Sequence, residues 1–166
     1  MAQEESALDK AKLGDMAYEQ LKLDNQVCFR LYAVSRLIIQ GYQPFLSKLG
    51  ITYTQYLVLM LLWEHDNMPV NDIAKRLLLE TNTMTPLIKR MEADGIVSRK
   101  KDEKDGRKSI VCLTTKGRNM EAEAAKIPGC LVKELVDLGL TKEVIESLVP
   151  PIDEIISKMT NRICKK

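Results

Sequence analysis

The sequence predicts a mainly α-helical protein that carries one small β-hairpin. Apolar residues recur at helical spacing along most of the 166 residues, and the period changes to alternation only around residues 96–113. Aromatic residues make up 5% of the chain, which has eight glycines and six prolines. This composition argues against an all-β sandwich or barrel, whose many short strands need frequent turns.

Composition and charge indicate an ordinary folded protein. Hydrophobic residues make up 45% of the chain and charged residues 29%, as in globular domains. No run reaches the roughly 18 apolar residues of a membrane helix. Residues 1–6 lack the basic and then apolar pattern of a signal peptide. We therefore expect a cytoplasmic protein with no membrane partner.

Two helices are predicted in the first part of the chain. Residues 23–48 carry apolar side chains at helical spacing, and Gly50 follows as a stop signal. Residues 7–24 suit either a mildly amphipathic helix or a loose N-terminal arm. Thr52 or Thr54 is expected to cap the second helix. The apolar stripe of this helix consists of Tyr56, Leu59, Met60 and Trp63.

A helix, a turn and a further helix are predicted next. A turn at residues 66–69 leads to a helix over 70–78, and a polar break at 80–83 precedes a helix over 83–93. Gly95 is expected to cap this last helix in the left-handed conformation. Side chains expected to point inward are Ile73, Leu77, Leu78, Met84, Leu87, Ile88 and Met91.

The predicted hairpin lies in the most basic part of the chain. Residues 96–100 and 108–113 alternate like strands, with a charged tip at 102–107. The window 89–118 has ten basic and five acidic residues, a net charge of +5 in a chain of net +2. Such a window is typical of a polyanion-binding surface, although a solvated basic face would have the same composition.

The C-terminal part is expected to be helical with two interruptions. A helix opens at residues 114–117 and breaks near Pro128 and Gly129. The last helical region spans 141–164, and Pro150 and Pro151 are expected to divide it into helices of about 141–149 and 151–164.

Helix, turn, helix and basic hairpin follow one another as in a winged helix-turn-helix domain. In that arrangement the second helix enters the major groove and reads base edges from its N-terminal residues. Arg107 at the hairpin tip suits a narrow minor groove, and Asp105 is placed to orient its guanidinium through a charge-assisted pair. The remaining candidate DNA-binding residues are Thr81, Asn82, Thr83, Thr85, Lys89 and Arg90. Each of them alone is equally compatible with an ordinary polar surface.

The cysteines indicate thiol chemistry rather than a metal site. Cys28, Cys112, Cys130 and Cys164 form no Cys-x-x-Cys pair, and the chain has one histidine, so no metal or other cofactor is expected. Disulfide frameworks are rare in the cytoplasm. Any special cysteine is therefore expected to be a reactive one, although a lone cysteine is more often a small core residue.

Several segments resemble the MarR family of transcriptional regulators. They are Asp-Asn-Gln-Val-Cys-Phe at 24–29, Leu-Gly-Ile-Thr-Tyr-Thr-Gln-Tyr at 49–56, Thr-Met-Thr-Pro-Leu-Ile-Lys-Arg-Met-Glu at 83–92, Asp-Gly-Arg at 105–107 and Leu-Thr at 113–114. The first segment resembles the branch of organic hydroperoxide resistance regulators. The resemblance covers residues 20–135 well and the C-terminal helix loosely.

The resemblance implies a helical homodimer that is not an enzyme. The N- and C-terminal helices form the dimer interface, and two winged helix-turn-helix domains bind double-stranded DNA at a pseudo-palindromic operator. Members repress genes for peroxide detoxification and release DNA on oxidation. The implied division of the chain is an arm at 1–20, a dimerisation helix with the sensor cysteine at 21–50, the DNA-binding domain at 51–118, and C-terminal dimerisation helices at 119–166.

The resemblance also assigns residue roles. Cys28 matches the cysteine that reacts with organic hydroperoxides, and Tyr42 and Tyr53 match tyrosines that hydrogen-bond it across the dimer interface. Tyr32 matches a further tyrosine near that site. Cys130 lies about one helical turn before the position of the resolving cysteine in two-cysteine members. The DNA-binding positions match Thr81, Thr83, Thr85, Arg90, Asp105 and Arg107.

These residue types suit peroxide chemistry. Only a thiolate attacks a peroxide, and phenol donors aimed at the sulfur stabilise the charged form. The product is a sulfenic acid, which condenses with another thiol. Departures from the family pattern are Glu80 and Asn82, which stand where many members have Asp and Gly, so operator preference is expected to differ.

Two other functions remain compatible with the sequence. One is a MarR-type repressor that responds to a small phenolic or drug-like ligand, with Cys28 as a bystander. The other is a thiol peroxidase without a DNA role. The sequence argues against it, because no His, Arg or acidic residue is placed to help Cys28 react repeatedly.

Overall fold

The first turns of the chain that the computed structural model describes are 3-10 turns. The model describes residues 18–103 and 105–163, which divide into two units between Gly41 and Tyr42. In the first unit, turns at Glu19–Leu21 and Leu23–Asn25 precede helix α1, Val27–Lys48, whose last seven residues belong to the second unit. Residues 7–17 of the predicted N-terminal helix lie outside the described residues.

The prediction that the long helix starts at residue 23 is wrong by one turn. The backbone N–H of Gln26 donates to the carbonyl oxygen of Leu23 at 3.0 Å, and the side-chain amide of Asn25 donates to the carbonyl oxygen of Glu19 at 2.9 Å. Such local side-chain bonds compete with helix formation. They delay the start of α1 to Val27.

The second unit contains the buried core, and a capped helix runs through it. Gly50 has a φ of 68°, the left-handed conformation expected of a residue that ends a helix. Helix α2 is Tyr53–Glu64, and Thr52 caps it: the Thr52 N–H donates to Gln55 Oε1 at 2.8 Å. This reciprocal capping box selects Thr52 over Thr54. Met60, a member of the predicted apolar stripe, is 44% exposed.

The sheet has one more strand than the sequence predicts. Strand β1, Met68–Pro69, pairs with one edge of β3, Ser109–Leu113, and β2, Val97–Lys101, pairs antiparallel with the other edge. The hairpin of β2 and β3 is confirmed. A two-residue strand is too short to give an alternating pattern, which is why β1 was expected to be only a turn.

The two helices before the hairpin are α3, Val70–Arg76, and α4, Thr81–Ala93. Leu78, between them, has a φ of 55° and is 64% exposed, so it does not point inward as predicted. Helix α4 starts two residues earlier than predicted, because the N–H groups of Thr83 and Met84 both donate to the carbonyl oxygen of Glu80 at 3.0 Å. The polar residues expected in a break are therefore the first turn of the helix.

Short helices complete the second unit. They are α5 Thr115–Asn119, α6 Glu121–Ala124, α7 Ile127–Asp137, α8 Lys142–Ser147 and α9 Val149–Ile163. The expected division of the last region is confirmed, but it falls at Leu148 rather than at the prolines. Pro150 and Pro151 lie in the first turn of α9, where a helix has no use for their missing N–H groups. Cys164 lies outside the described residues.

No single described helix is both long and apolar enough to cross a membrane, and only Val27–Lys48 and Tyr53–Glu64 taken together, as a strongly bent pair, reach the length and composition.

Candidate nucleic-acid interface and cysteine site

Helix α4 has one buried face and one polar face. Met84, Leu87, Ile88 and Met91 are at most 7% exposed, which confirms their predicted inward positions. Exposed side chains on the other face are Thr81, Asn82, Thr83, Lys89 and Arg90. The apolar face fixes α4 in the core, so its polar face is presented on a rigid element.

The hydroxyl groups of the first turn of α4 have different partners. Thr81 Oγ1 lies 3.4 Å from Asn71 Oδ1 of α3, and Thr83 Oγ1 lies 3.4 Å from Asn82 Oδ1. Thr85 Oγ1 donates to the carbonyl oxygen of Thr81 at 2.9 Å. Thr81, Asn82 and Thr83 thus present polar groups on the surface, whereas the half-buried Thr85 hydroxyl also bonds its own helix.

The hairpin of β2 and β3 is the wing of the domain, and at its tip the predicted pairing of Asp105 with the Arg107 guanidinium is wrong. Asp105 Oδ1 instead accepts a hydrogen bond from the backbone N–H of Arg107 at 3.2 Å, and Asp105 Oδ2 lies 4.0 Å from Lys108 Nζ. A carboxylate that bonds the backbone two residues later stabilises a tight turn. Asp105 therefore shapes the wing tip, and the Arg107 side chain remains exposed.

A charged pair that was not among the sequence predictions connects α4 with the wing. Glu92 Oε2 accepts hydrogen bonds from Arg99 Nε at 2.9 Å and from Arg99 Nη2 at 2.6 Å. These bonds lower the pKa of the Glu92 carboxyl below its ordinary value. The two residues are seven apart on different elements, a spacing that has no periodic signal in sequence.

A cavity of about 270 Å³ separates the first turn of α4 from the wing. Thr81 and Thr85 line one side, and Arg99, Arg107 and Lys108 line the other. Asp72 and the apolar Pro69, Val70 and Ile88 also line the cavity, so its wall is mixed, with the cationic groups on the side of the hairpin.

Asp66 connects three elements behind the wing. Its Oδ1 accepts hydrogen bonds from the N–H of Asn67 at 2.8 Å and of Leu113 at 2.9 Å, and its Oδ2 lies 2.5 Å from Arg118 Nη2. Burial acts to raise the pKa of the carboxyl, but the hydrogen bonds and Arg118 together hold it below its ordinary value. Sequence reasoning placed Asp66 only in a turn and gave Arg118 no role.

Three tyrosines form a cluster between the end of α1 and α2. The ring centroids of Tyr42 and Tyr53 lie 5.0 Å apart, and Tyr56 lies 5.9 Å from Tyr42 and 6.5 Å from Tyr53. Burial raises the pKa of Tyr42 and of Tyr53, and Tyr53 and Tyr56 raise that of Tyr42 further. These phenols are thus protonated hydrogen-bond donors at neutral pH.

Cys28 lies in the first turn of α1, with its thiol exposed. The Sγ atom is 4.0 Å from Gln26 Oε1, and Tyr32, one turn later, is 60% exposed. Other apolar side chains exposed on this part of α1 are Val27, Leu31, Val34, Leu37 and Ile39. No cluster of potential metal ligands occurs among the described residues.

Two further cysteines differ in accessibility. Cys130 is exposed in the first turn of α7, where its N–H donates to the carbonyl oxygen of Lys126 at 3.2 Å. Cys112 is half-buried in β3, with Sγ 3.1 Å from Asn67 Oδ1, and burial raises the pKa of its thiol. Of these two, only Cys130 is exposed.

Comparison with known proteins assigns the chain to a family. Residues 51–109 match the MarR family. The organic hydroperoxide resistance transcriptional regulator of Bacillus subtilis is 44% identical over 131 residues, which are 79% of this chain and 85% of that protein. The chain belongs to the MarR family. This confirms the family resemblance of the sequence segments and the winged helix-turn-helix fold class.

Solved structures of MarR proteins have the same fold as this MarR chain. Reduced AbfR bound to DNA is 35% identical with a TM-score of 0.69, and the match covers 87% of this chain and 99% of that one. Disulfide-formed AbfR is 38% identical with a TM-score of 0.60, at the same coverage. One structure of AbfR is of the protein from Staphylococcus epidermidis.

Proposed function

We propose that this MarR protein is a cytoplasmic transcriptional regulator that binds an operator and releases it when an organic hydroperoxide oxidises Cys28. The observation that carries the proposal is the exposed thiol of Cys28 on a helix face rich in exposed apolar side chains and Tyr32. Similarity to a regulator of organic hydroperoxide resistance and to reduced and disulfide-formed AbfR supports it.

The regulator acts as a homodimer. In the first unit, apolar side chains of α1 are exposed in the single chain, and in the second unit the same holds along α9. The exposed apolar residues of α9 are Val149, Ile152, Ile155, Ile156 and Met159. Apolar faces of this extent mark association surfaces, and a two-fold dimer buries the same face of both copies.

The sensor site needs both subunits. Tyr42 and Tyr53 match the tyrosines that the family resemblance assigns to the reactive cysteine, so these two phenols act on Cys28 across the dimer interface. Both phenols have raised pKa values and donate hydrogen bonds to the thiolate. Tyr32 contributes to the apolar wall that favours organic hydroperoxides.

The oxidation proceeds by nucleophilic attack of the Cys28 thiolate on an oxygen of the hydroperoxide. An S–O bond forms to the terminal oxygen as the O–O bond breaks, and this oxygen keeps its hydrogen in the sulfenic acid of Cys28. The departing alkoxide takes a proton from water and leaves as the alcohol. The exposed Cys130 thiol then attacks this sulfur, which forms a disulfide and releases water. An added oxygen or disulfide in the packed interface shifts the two DNA-binding domains relative to each other.

The DNA interface uses α4 and the wing. Thr81, Asn82, Thr83 and Thr85 read base edges or bind phosphates in the major groove, and Lys89 and Arg90 hold phosphates further along. Arg107 enters the minor groove, with Asp105 shaping the turn that presents it. Two copies of α4 about 34 Å apart read half-sites one DNA turn apart, so the operator is pseudo-palindromic.

The test is a gel shift on the promoter region that adjoins the protein's own coding sequence. Wild type and Cys28→Ser are compared with and without cumene hydroperoxide, and Cys112→Ser serves as the control for loss of a thiol. We expect all three proteins to bind, and the oxidant to release wild type and Cys112→Ser but not Cys28→Ser. Release of Cys28→Ser would overturn the assignment of the sensor, and absence of binding would overturn the DNA-binding function.

A further inference from the structure

The Glu92–Arg99 pair joins the two parts of the domain proposed to contact DNA. Glu92 lies in the last turn of α4 and Arg99 in the middle of β2, where it pairs with Val111 of β3. Both side chains are about one-third exposed, at 36% and 28%. Among the ion pairs of the described residues, this one alone links α4 to the wing.

The hydrogen bonds of the Glu92–Arg99 pair fix the orientation of the Arg99 guanidinium. Two N–H groups of the Arg99 guanidinium, Nε and Nη2, donate to the same oxygen of Glu92 at 2.9 and 2.6 Å. Charge-assisted bonds of this kind hold a guanidinium in a fixed orientation. Arg99 also lines the cavity between α4 and the wing, together with Thr81, Thr85 and Arg107.

Glu92 has the wrong charge for a direct role in binding a polyanion. An acidic side chain beside Lys89 and Arg90 repels phosphates, so its place near the interface has to be explained by what it does within the protein. Its observed partner is Arg99, a residue of the wing. The two possible roles of Glu92 predict opposite effects of removing its carboxylate. If Glu92 faced the DNA directly, its removal would tighten operator binding. If Glu92 attaches the wing, its removal weakens operator binding.

We propose that Glu92 and Arg99 are positioning residues that fix the wing relative to α4, so that Arg107 and the first turn of α4 engage the operator together. This inference rests on the proposed DNA-binding function. It adds Glu92 and Arg99 as residues that shape the DNA interface without reading the base sequence themselves. Without the pair, the buried base of the wing stays packed in the core, while the outer part of the hairpin opens more readily and holds Arg107 less firmly relative to α4.

The test compares Glu92→Ala with Glu123→Ala. Glu123 pairs with Lys126 at 2.6 Å on α6, so its variant loses the same charge and a bond of similar length away from the interface. Alanine is the best helix former, so both variants are expected to fold. We expect Glu92→Ala to weaken operator binding about fivefold to tenfold, Glu92→Gln to weaken it less, and Glu123→Ala to leave it within twofold.

Combination with Arg107→Ala separates positioning from general destabilisation. In the wild-type background Arg107→Ala is expected to weaken binding about tenfold. In the Glu92→Ala background it is expected to cost less than about threefold, because the wing is already misplaced. Additive effects of the two substitutions, or tighter binding by Glu92→Ala, would overturn the inference.

A measurement without DNA distinguishes failure of this inference from failure of the proposed function. Hydrogen exchange is measured on the free protein at the amides of the hairpin, residues 97–101 and 109–113. Glu92→Ala is expected to speed exchange there about tenfold and Glu123→Ala to leave it unchanged. Unchanged exchange in Glu92→Ala overturns the positioning role, whatever the DNA result. Absence of operator binding by the wild type would overturn the proposed function alone.

Discussion

The indole Nε1 of Trp63 donates a hydrogen bond to the carbonyl oxygen of Gly117 at 3.0 Å. This bond connects the end of α2 with α5, which follows the wing directly. At Gly117 a Cβ atom would lie 2.3 Å from the carbonyl oxygen of Ile96, a distance that only glycine tolerates. Close contact between backbones at Gly117 therefore fixes the base of the wing against the core.

Gly117→Ala is expected to destabilise the protein because the added methyl group overlaps backbone rather than a flexible side chain. Overpacking of this kind costs about 1–3 kcal/mol, measured as the free energy of unfolding in urea. Gly129→Ala is the matched control, since a Cβ there meets nothing within 4 Å and alanine favours the helix. Equal stability of Gly117→Ala and the wild type would contradict the close approach.

Asp66 is expected to make stability depend on pH in the acid range. Its pKa is lowered in the folded state, so the stability that it contributes is present above its unfolded pKa, about 3.9. That contribution is lost as the pH falls through the folded value. Asp66→Asn is expected to cost about 1–3 kcal/mol at pH 7, since it removes the charge that holds Arg118 and the Leu113 N–H.

The comparison of unfolding free energies at pH 7 and pH 3 checks the sign. The difference between wild type and Asp66→Asn should shrink at the lower pH. The control is Asp137→Asn, which changes an exposed carboxylate at the end of α7 and should have little effect at either pH. A difference for Asp66→Asn that grows on acidification would contradict the assignment.

Tyr42 and Tyr53 are expected to ionise only above the ordinary tyrosine pKa of about 10. Burial and, for Tyr42, the neighbouring phenols raise their pKa values. The folded state therefore loses stability as the pH rises from about 10 through the folded values. Ultraviolet titration of Tyr53→Phe should show a lower pKa for Tyr42, and the control Tyr18→Phe should not. A Tyr42 pKa that is unchanged in Tyr53→Phe would contradict the coupling.

Cys130 is expected to form a disulfide between subunits with Cys28 after oxidation. Its exposure at the start of α7 makes the thiol accessible, whereas Cys112 is half-buried against Asn67. Non-reducing gels of hydroperoxide-treated protein should show a dimer band in wild type and Cys112→Ser that is absent in Cys130→Ser. A band that persists in Cys130→Ser would mean that another thiol resolves the sulfenic acid.

Periodicity and capping signals were sufficient to predict most of the fold. The apolar residues of α4 repeat at helical spacing, and Gly50 and Gly95 have the left-handed φ expected of helix ends. The same rules failed where local side-chain bonds compete, as at Asn25 before α1. Periodicity also failed to predict β1, because two residues are too few to show an alternating pattern.

The DNA-binding candidates were predictable because helix α4 and the wing are contiguous in the sequence. The contacts that hold the wing in place, Glu92 with Arg99 and Asp66 with Leu113 and Arg118, join residues from different elements. Their spacing follows from tertiary packing, and one sequence contains no signal of it. For the same reason the sequence suggested a side-chain pair of Asp105 with Arg107, where the carboxylate bonds the backbone instead.

Release of the operator through Cys28 oxidation is tested by following both events in one titration. Cumene hydroperoxide is added in substoichiometric steps to the protein bound to fluorescent operator DNA, anisotropy reports release, and mass spectrometry of trapped thiols reports which cysteine is modified. We expect release to follow the fraction of oxidised Cys28 and to be complete near one equivalent per subunit. Full oxidation of Cys28 with the operator still bound would contradict this expectation.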